Sequence, residues 1–92
     1  MRVQLVELAP EWLSSGVSRG RMGFGFLCPA CGRHRVEVWM AIPIDEGQPV
    51  TTTEGRRLYD VSGDSFETME VHGAIPCGED LLFIHEGAVV VG

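Results

Sequence analysis

Several things are missing from this sequence, and each absence narrows the field. No apolar run approaches the length of about 20 residues that spans a bilayer as a helix. The start, Met1-Arg2-Val3-Gln4-Leu5-Val6-Glu7-Leu8, has one early base but is interrupted by Glu7, with no apolar signal core behind it. The expectation is a cytoplasmic protein. Basic residues are few: seven Lys and Arg face thirteen Asp and Glu, for a net charge of −6. That is a poor footprint for nucleic acid, which rewards clustered positive charge. There is no Gly-rich phosphate loop, no nucleophile elbow and no helical HExxH pair. No internal repeat and no long helical period is present. The three cysteines are an odd number, which argues against a disulfide framework.

What is present is organised around Cys28-Pro29-Ala30-Cys31-Gly32. Two thiols two residues apart, with Pro inside and Gly after, make a tight knuckle that can aim both sulfurs at one point. In a reducing compartment such a pair points to a metal or a redox centre. A thioredoxin-like role fits poorly, because that motif opens a helix and here a strand-like segment follows. The remaining cysteine, in Ile75-Pro76-Cys77-Gly78, also stands between Pro and Gly. The two segments read as halves of one zinc site, remote in sequence and adjacent in space.

A chain of 92 residues is read as a single zinc-stabilised β domain over 1–92. At this size only about two thirds of the unfolded surface is buried, so the core is marginal. Zinc supplies roughly 10–16 kcal/mol in small metal-folded domains, against a typical domain stability of about 5–15 kcal/mol.

The hydrophobic pattern has period two almost throughout. Residues 3–8 read as a strand, and Pro10 to Gly16 as a helical turn, with Trp12 and Leu13 capping the core. Residues 16–23 read as a loop. Met22, Phe24, Phe26 and Cys28 share one face of a strand, with Gly23 and Gly25 on the other. Val36, Val38, Met40 and Ile42 face one way in the next, against Arg35, Glu37 and Trp39. Segments 22–28 and 34–42 therefore form a hairpin whose tip carries two thiols. Residues 43–55 read as a long irregular loop. Short strands follow at 56–61 and 65–71, the first ending in a turn at Ser62-Gly63-Asp64. A final hairpin pairs 81–85 with 88–91 across Glu86-Gly87. The class is mostly β with little helix: a zinc-ribbon-like domain of two metal-linked hairpins with extra strands. The 81–91 ribbon offers an edge on which a second copy can pair, so a homo-oligomer is possible.

Structural zinc takes four ligands, thiolates and imidazoles first. Cys28, Cys31 and Cys77 supply three. A second paired half-site places the fourth at Asp80, three residues after Cys77. His34 has the better chemistry, but lies where the chain is already leaving the knuckle beside Arg33 and Arg35. His72 reaches only if 72–77 folds back. His85 stands about 13 Å along a strand from Leu81 at 3.3 Å per residue. A water in the fourth position would make the site open and catalytic.

The knuckle, the stretch Val61-Ser62-Gly63-Asp64-Ser65-Phe66-Glu67-Thr68-Met69, the late Cys77, and Phe83-Ile84-His85-Glu86-Gly87-Ala88-Val89 together resemble a family of small phage and prophage proteins of unknown function. Tyr59 stands where that family usually has Trp, and Gly73-Ala74-Ile75 replaces most of a Pro-Ser-Ile segment. The family's His after the late Cys has no counterpart, since Asp80, Leu81 and Leu82 occupy that place. The resemblance implies a small metal-binding phage-type β protein and brings no activity with it.

Three functions stay open. The first is a non-enzymatic zinc module that binds another protein, of host or phage. The second is a small metalloenzyme with Asp80, Glu79 or His34 as base. The third, ranked last because of the overall charge, is a nucleic-acid-binding ribbon using Arg19, Arg21, Arg33, Arg35, Arg56 and Arg57 with Trp39 for stacking.

Overall fold

A computed structural model describes residues 2–14, 20–45, 49 and 57–92. The first half of the expected loop at 16–23 and most of the long stretch at 43–55 fall outside them, as do Arg19 and Arg56. Eight strands form in chain order: β1 (Arg2–Gln4), β2 (Glu11–Leu13), β3 (Gly23–Leu27), β4 (Arg35–Met40), β5 (Leu58–Ser62), β6 (Glu70–Cys77), β7 (Asp80–His85) and β8 (Ala88–Val91). They make one curled sheet in the order β1-β8-β7-β6-β5-β4-β3-β2, antiparallel except where β4 meets β5. The mostly β expectation holds. Among the described residues no helix is long and apolar enough to cross a membrane.

The N-terminal segment connects the two margins of this sheet. β1 pairs with β8 at one margin and β2 with β3 at the other. Between them the amide of Leu5 donates to the Gly87 carbonyl at 2.8 Å, and that of Leu27 donates to the Leu8 carbonyl at 2.8 Å. The expected single strand over residues 3–8 is broken because Leu5–Glu7 winds into a 3-10 turn. In that geometry residues three apart eclipse, which lets Leu5 and Leu8 both enter the core. The expected helical turn after Pro10 is instead β2. Its Trp12 pairs with Phe24 in register and stacks on Phe66 with ring centroids 4.4 Å apart, a gain in buried area that one isolated helical turn does not offer. β8, the strand expected to offer an edge to a second copy, is covered by β1.

The β3–β4 hairpin follows its sequence pattern as far as Met40, where β4 ends; Ile42, expected on the inner face, lies beyond the strand and is exposed. Phe24 and Phe26 point into the core from β3, and Val36, Val38 and Met40 from β4. Gly23 is required by close approach: a Cβ there would collide with the Val38 carbonyl oxygen. The β7–β8 hairpin forms across Glu86-Gly87 as expected. Both residues have positive φ, 48° and 75°, the signature of a type I′ turn, whose twist matches the paired strands.

Residues 65–77 differ most from expectation. The strand read at 65–71 is a turn over its first half, closed by the Thr68 amide donating to the Ser65 carbonyl at 3.2 Å and by the two hydroxyls 3.0 Å apart. Phe66 leaves the strand pattern to stack on Trp12. The strand runs instead through the expected 72–77 loop, as β6. Gly73 and Pro76 look like breakers but are accommodated. Among the described residues β5 pairs with β6 at Glu70, Val71 and His72, away from Pro76; a missing N–H is tolerated at an edge or a bulge. The pairing with β7 shifts register between Val71 and Ile75, a bulge of the kind that tolerates such residues. Consequently the hairpin carrying Cys77 is β6–β7, not the 81–91 ribbon.

Candidate metal centre

Strand alternation carries Cys28 into the interior directly after Phe24 and Phe26, and its side chain is fully buried. The chain then turns. The Gly32 amide donates to the Cys28 carbonyl at 2.8 Å, and the Cys28 amide donates to the His34 carbonyl at 2.9 Å. Gly32 sits at φ +67°, which a glycine adopts without strain. Cys31 is thereby presented at the exposed tip. β6 ends at Cys77, half-buried, one residue before the Gly78-Glu79 turn into β7.

The two hairpin tips meet. Cys28 and Cys77 have their sulfurs 2.8 Å apart, and the Sγ atoms of Cys28, Cys31 and Cys77 all lie within 4.8 Å of one another. All three are free thiols. The three cysteines singled out from sequence are thus gathered, positioned to hold a metal ion. Tetrahedral zinc with bonds of about 2.3 Å sets sulfurs about 3.8 Å apart, so loading requires Cys28 and Cys77 to part by roughly 1 Å.

The environment divides the thiols by charge. The Cys31 thiol is lowered to about 6, first by the backbone N–H of Arg33, then by that of His34. It is a thiolate at neutral pH, the form that binds metals. Cys77 is pushed up, first because its proton is held in the hydrogen bond to Cys28, then by burial. Three thiolates this close repel one another, and a divalent cation relieves that repulsion while displacing the remaining protons.

None of the other candidates is among the gathered atoms, though one stands beside them. Asp80 faces Cys77 across the β6–β7 pair, but it is exposed and its carboxylate is not among the gathered atoms. His34 Nδ1 lies 3.5 Å from Cys31 Sγ. His72 is exposed opposite Asp60. His85 belongs to the far end of β7, where its Nδ1 is 2.9 Å from Glu70 Oε1. Glu79 is an exposed turn residue. Beside the centre, a groove of about 300 Å³ opens between β4 and β6, lined in part by His34, Val36, Arg57, Tyr59, Ile75 and Cys77.

Two of the arginines weighed for nucleic-acid contact have partners. Arg21 forms a two-pronged pair with Asp45, Nε to Oδ2 at 3.1 Å and Nη2 to Oδ1 at 2.9 Å, and sits 4.9 Å from the Trp12 ring centre. Arg35 donates to the Ala9 carbonyl at 3.0 Å and to Glu11 at 3.1 Å. Arg57 lies over the Tyr59 ring. None of these pairings was foreseen; opposite charge is the sequence signal for Arg21 with Asp45 and for Arg35 with Glu11.

Fold and site together define a small curled-sheet protein with a cysteine cluster at the meeting point of two hairpin tips. Compared with family models, curated proteins and solved structures, the chain matches none.

Proposed function

We propose that this chain is a small zinc-binding β module, in which Cys28, Cys31 and Cys77 hold the ion and fasten the β3–β4 tip to the β6–β7 tip, as in a zinc ribbon. The carrying observation is the convergence of three free thiols from two hairpins. Thiolate-rich coordination favours zinc among common divalent ions. The module works by binding another protein. An outward-facing apolar pair, Leu81 and Phe83 on β7, supports that reading, as aromatic and aliphatic side chains left in solvent mark contact surfaces. The resemblance to small phage proteins makes a phage or host protein the natural partner and the host cytoplasm the natural place.

Elemental analysis of protein purified without added metal tests the metal. One zinc per wild-type chain and none in Cys77→Ser are expected; a folded wild type without metal, unable to take zinc up, overturns the reading. The groove beside Cys77 and His34 favours a second reading, a metal-dependent enzyme with an open coordination position. Chelation that leaves the fold intact but abolishes a chemical activity selects that reading over the first.

A further inference from the structure

We infer that His34, through Nδ1, is the fourth ligand, so that the centre is a closed Cys₃His site. This rests on the three-cysteine reading above and adds the residue that completes it.

The hairpin register places the imidazole. β3 and β4 pair Phe26 with Val36 and Leu27 with Arg35, and the same ladder continues one step to set His34 across from Cys28, sealed by the 2.9 Å bond from the Cys28 amide to the His34 carbonyl. Residues directly opposite in an antiparallel pair point to the same face. His34 therefore projects on the side of the sheet to which Cys28 contributes its sulfur. Cys28, Cys31 and His34 thus recur at three-residue intervals around one tight turn.

The distance agrees. Zinc bonds of about 2.3 Å to sulfur and 2.0–2.1 Å to nitrogen at the tetrahedral angle separate the two donors by about 3.6 Å. Nδ1 of His34 is 3.5 Å from Cys31 Sγ. The imidazole already stands from one sulfur as two ligands of a common ion stand; at least one of the other two sulfurs is farther than 4.8 Å from it, so loading draws the ring inward as it parts Cys28 from Cys77. Binding through Nδ1 leaves Nε2 as a donor, which metal-bound histidines use to fix their orientation.

The competitors are placed less well. Asp80 is exposed, as His34 is, and a carboxylate is the less usual partner for thiolates in a structural zinc site, where imidazole completes the set. His72 is five residues from Cys77 along β6, about 16 Å at strand rise, and His85 is held by Glu70 at the far end of β7. Four protein ligands leave no open position, which is the mark of a structural rather than a catalytic zinc.

X-ray absorption on the zinc-loaded chain tests this. Wild type is expected to show three sulfurs and one nitrogen, with the outer-shell scattering of an imidazole ring. Asp80→Ala keeps that spectrum. His34→Ala loses the imidazole scattering and weakens zinc binding by more than the roughly 10- to 100-fold that loss of an outer-shell partner costs. His34→Cys restores the affinity with four sulfurs. Zinc bound to three sulfurs without imidazole in wild type, or imidazole scattering that persists in His34→Ala, overturns the assignment of His34 and leaves the cysteine centre standing. A wild type that binds no zinc overturns the cysteine centre itself, and this assignment with it.

Discussion

Removing the metal is predicted to unfasten the two tips before it disturbs the rest of the sheet. β5 pairs with β4 only at Trp39 and Met40, the end remote from the knuckle, and with β6 only through residues 70–72. Towards the cysteines, among the described residues, no strand lies between β4 and the last third of β6 to tie them by backbone hydrogen bonds. The magnitude follows from linkage. Free zinc at about a thousand times its dissociation constant adds about 4 kcal/mol to the folded state. Each kcal/mol moves the midpoint of a domain this size by about 4–8 °C, so loading should raise Tm by roughly 15–30 °C. Calorimetry of the same sample before and after chelation measures this, with Cys77→Ser as the control that gains nothing from zinc. Amide exchange adds location: chelation should release protection first at Cys28, Gly32, Ile75 and Cys77, and last in β3 and in the β7–β8 ladder. Equal midpoints with and without zinc, in protein shown to bind it, would refute the reasoning, because the ion would then be holding nothing the sheet does not already hold.

Other outcomes follow from particular residues. In metal-free protein Cys31 is exposed and lowered to about 6, so iodoacetamide should alkylate it first, at a rate that rises with pH through a midpoint near 6. Peptide mass spectrometry should find Cys77, half-buried and pushed up, modified far more slowly. Asp45 is held down to about 2, first by the Arg21 side chain and next by its backbone N–H. A depressed carboxyl adds stability that is whole above its unfolded value, 3.8, and is lost as pH falls towards 2. Acid titration followed by fluorescence should therefore lose that limb in Asp45→Asn. Gly87→Ala imposes positive φ on a side chain and drives its Cβ into the Glu67 carbonyl, so chemical denaturation should show a loss of about 1–3 kcal/mol or more. Wild-type stability in that variant would mean that the 86–87 turn is not built as described.

Much of this was legible as alternation. The faces of β3 and β4, the Glu86-Gly87 turn and the trio of cysteines all follow from residue type and period two. What sequence could not show was which strand each turn would return to. His34 looked remote when measured along its own strand; it is near because the tip brings the chain back so that position 34 faces position 28. Residues 72–77 looked like a loop because Gly73 and Pro76 break strands that are paired on both sides. They are tolerated here because the β6–β7 pairing shifts register between Val71 and Ile75, a bulge that accommodates such residues, which is a fact about how two strands meet. Likewise Phe66 fits an alternating strand by local pattern alone. Its stacking on Trp12 is a long-range contact, and with the Ser65–Thr68 turn it pulls residues 65–68 out of the ladder.

The described pairings of β5 bear on why sulfur chemistry belongs at this spot. Where strands are hydrogen-bonded on both sides, a metal adds little that the ladder lacks. Among the described residues no strand links β4 to the last third of β6, and the Cys28–Cys77 contact at 2.8 Å is a side-chain bridge between the tips. The opposite side of the sheet solves its own closure without metal, through the Leu5 and Leu8 backbone bonds to Gly87 and Leu27. If the two devices are independent, Leu5→Ala should lower stability by about 2–5 kcal/mol as a buried Leu truncation does, equally in zinc-loaded and chelated protein. Double-mutant analysis with Cys77→Ser should then give additive losses. A strong coupling between them would show instead that the N-terminal lacing and the metal clamp act on one and the same opening of the sheet.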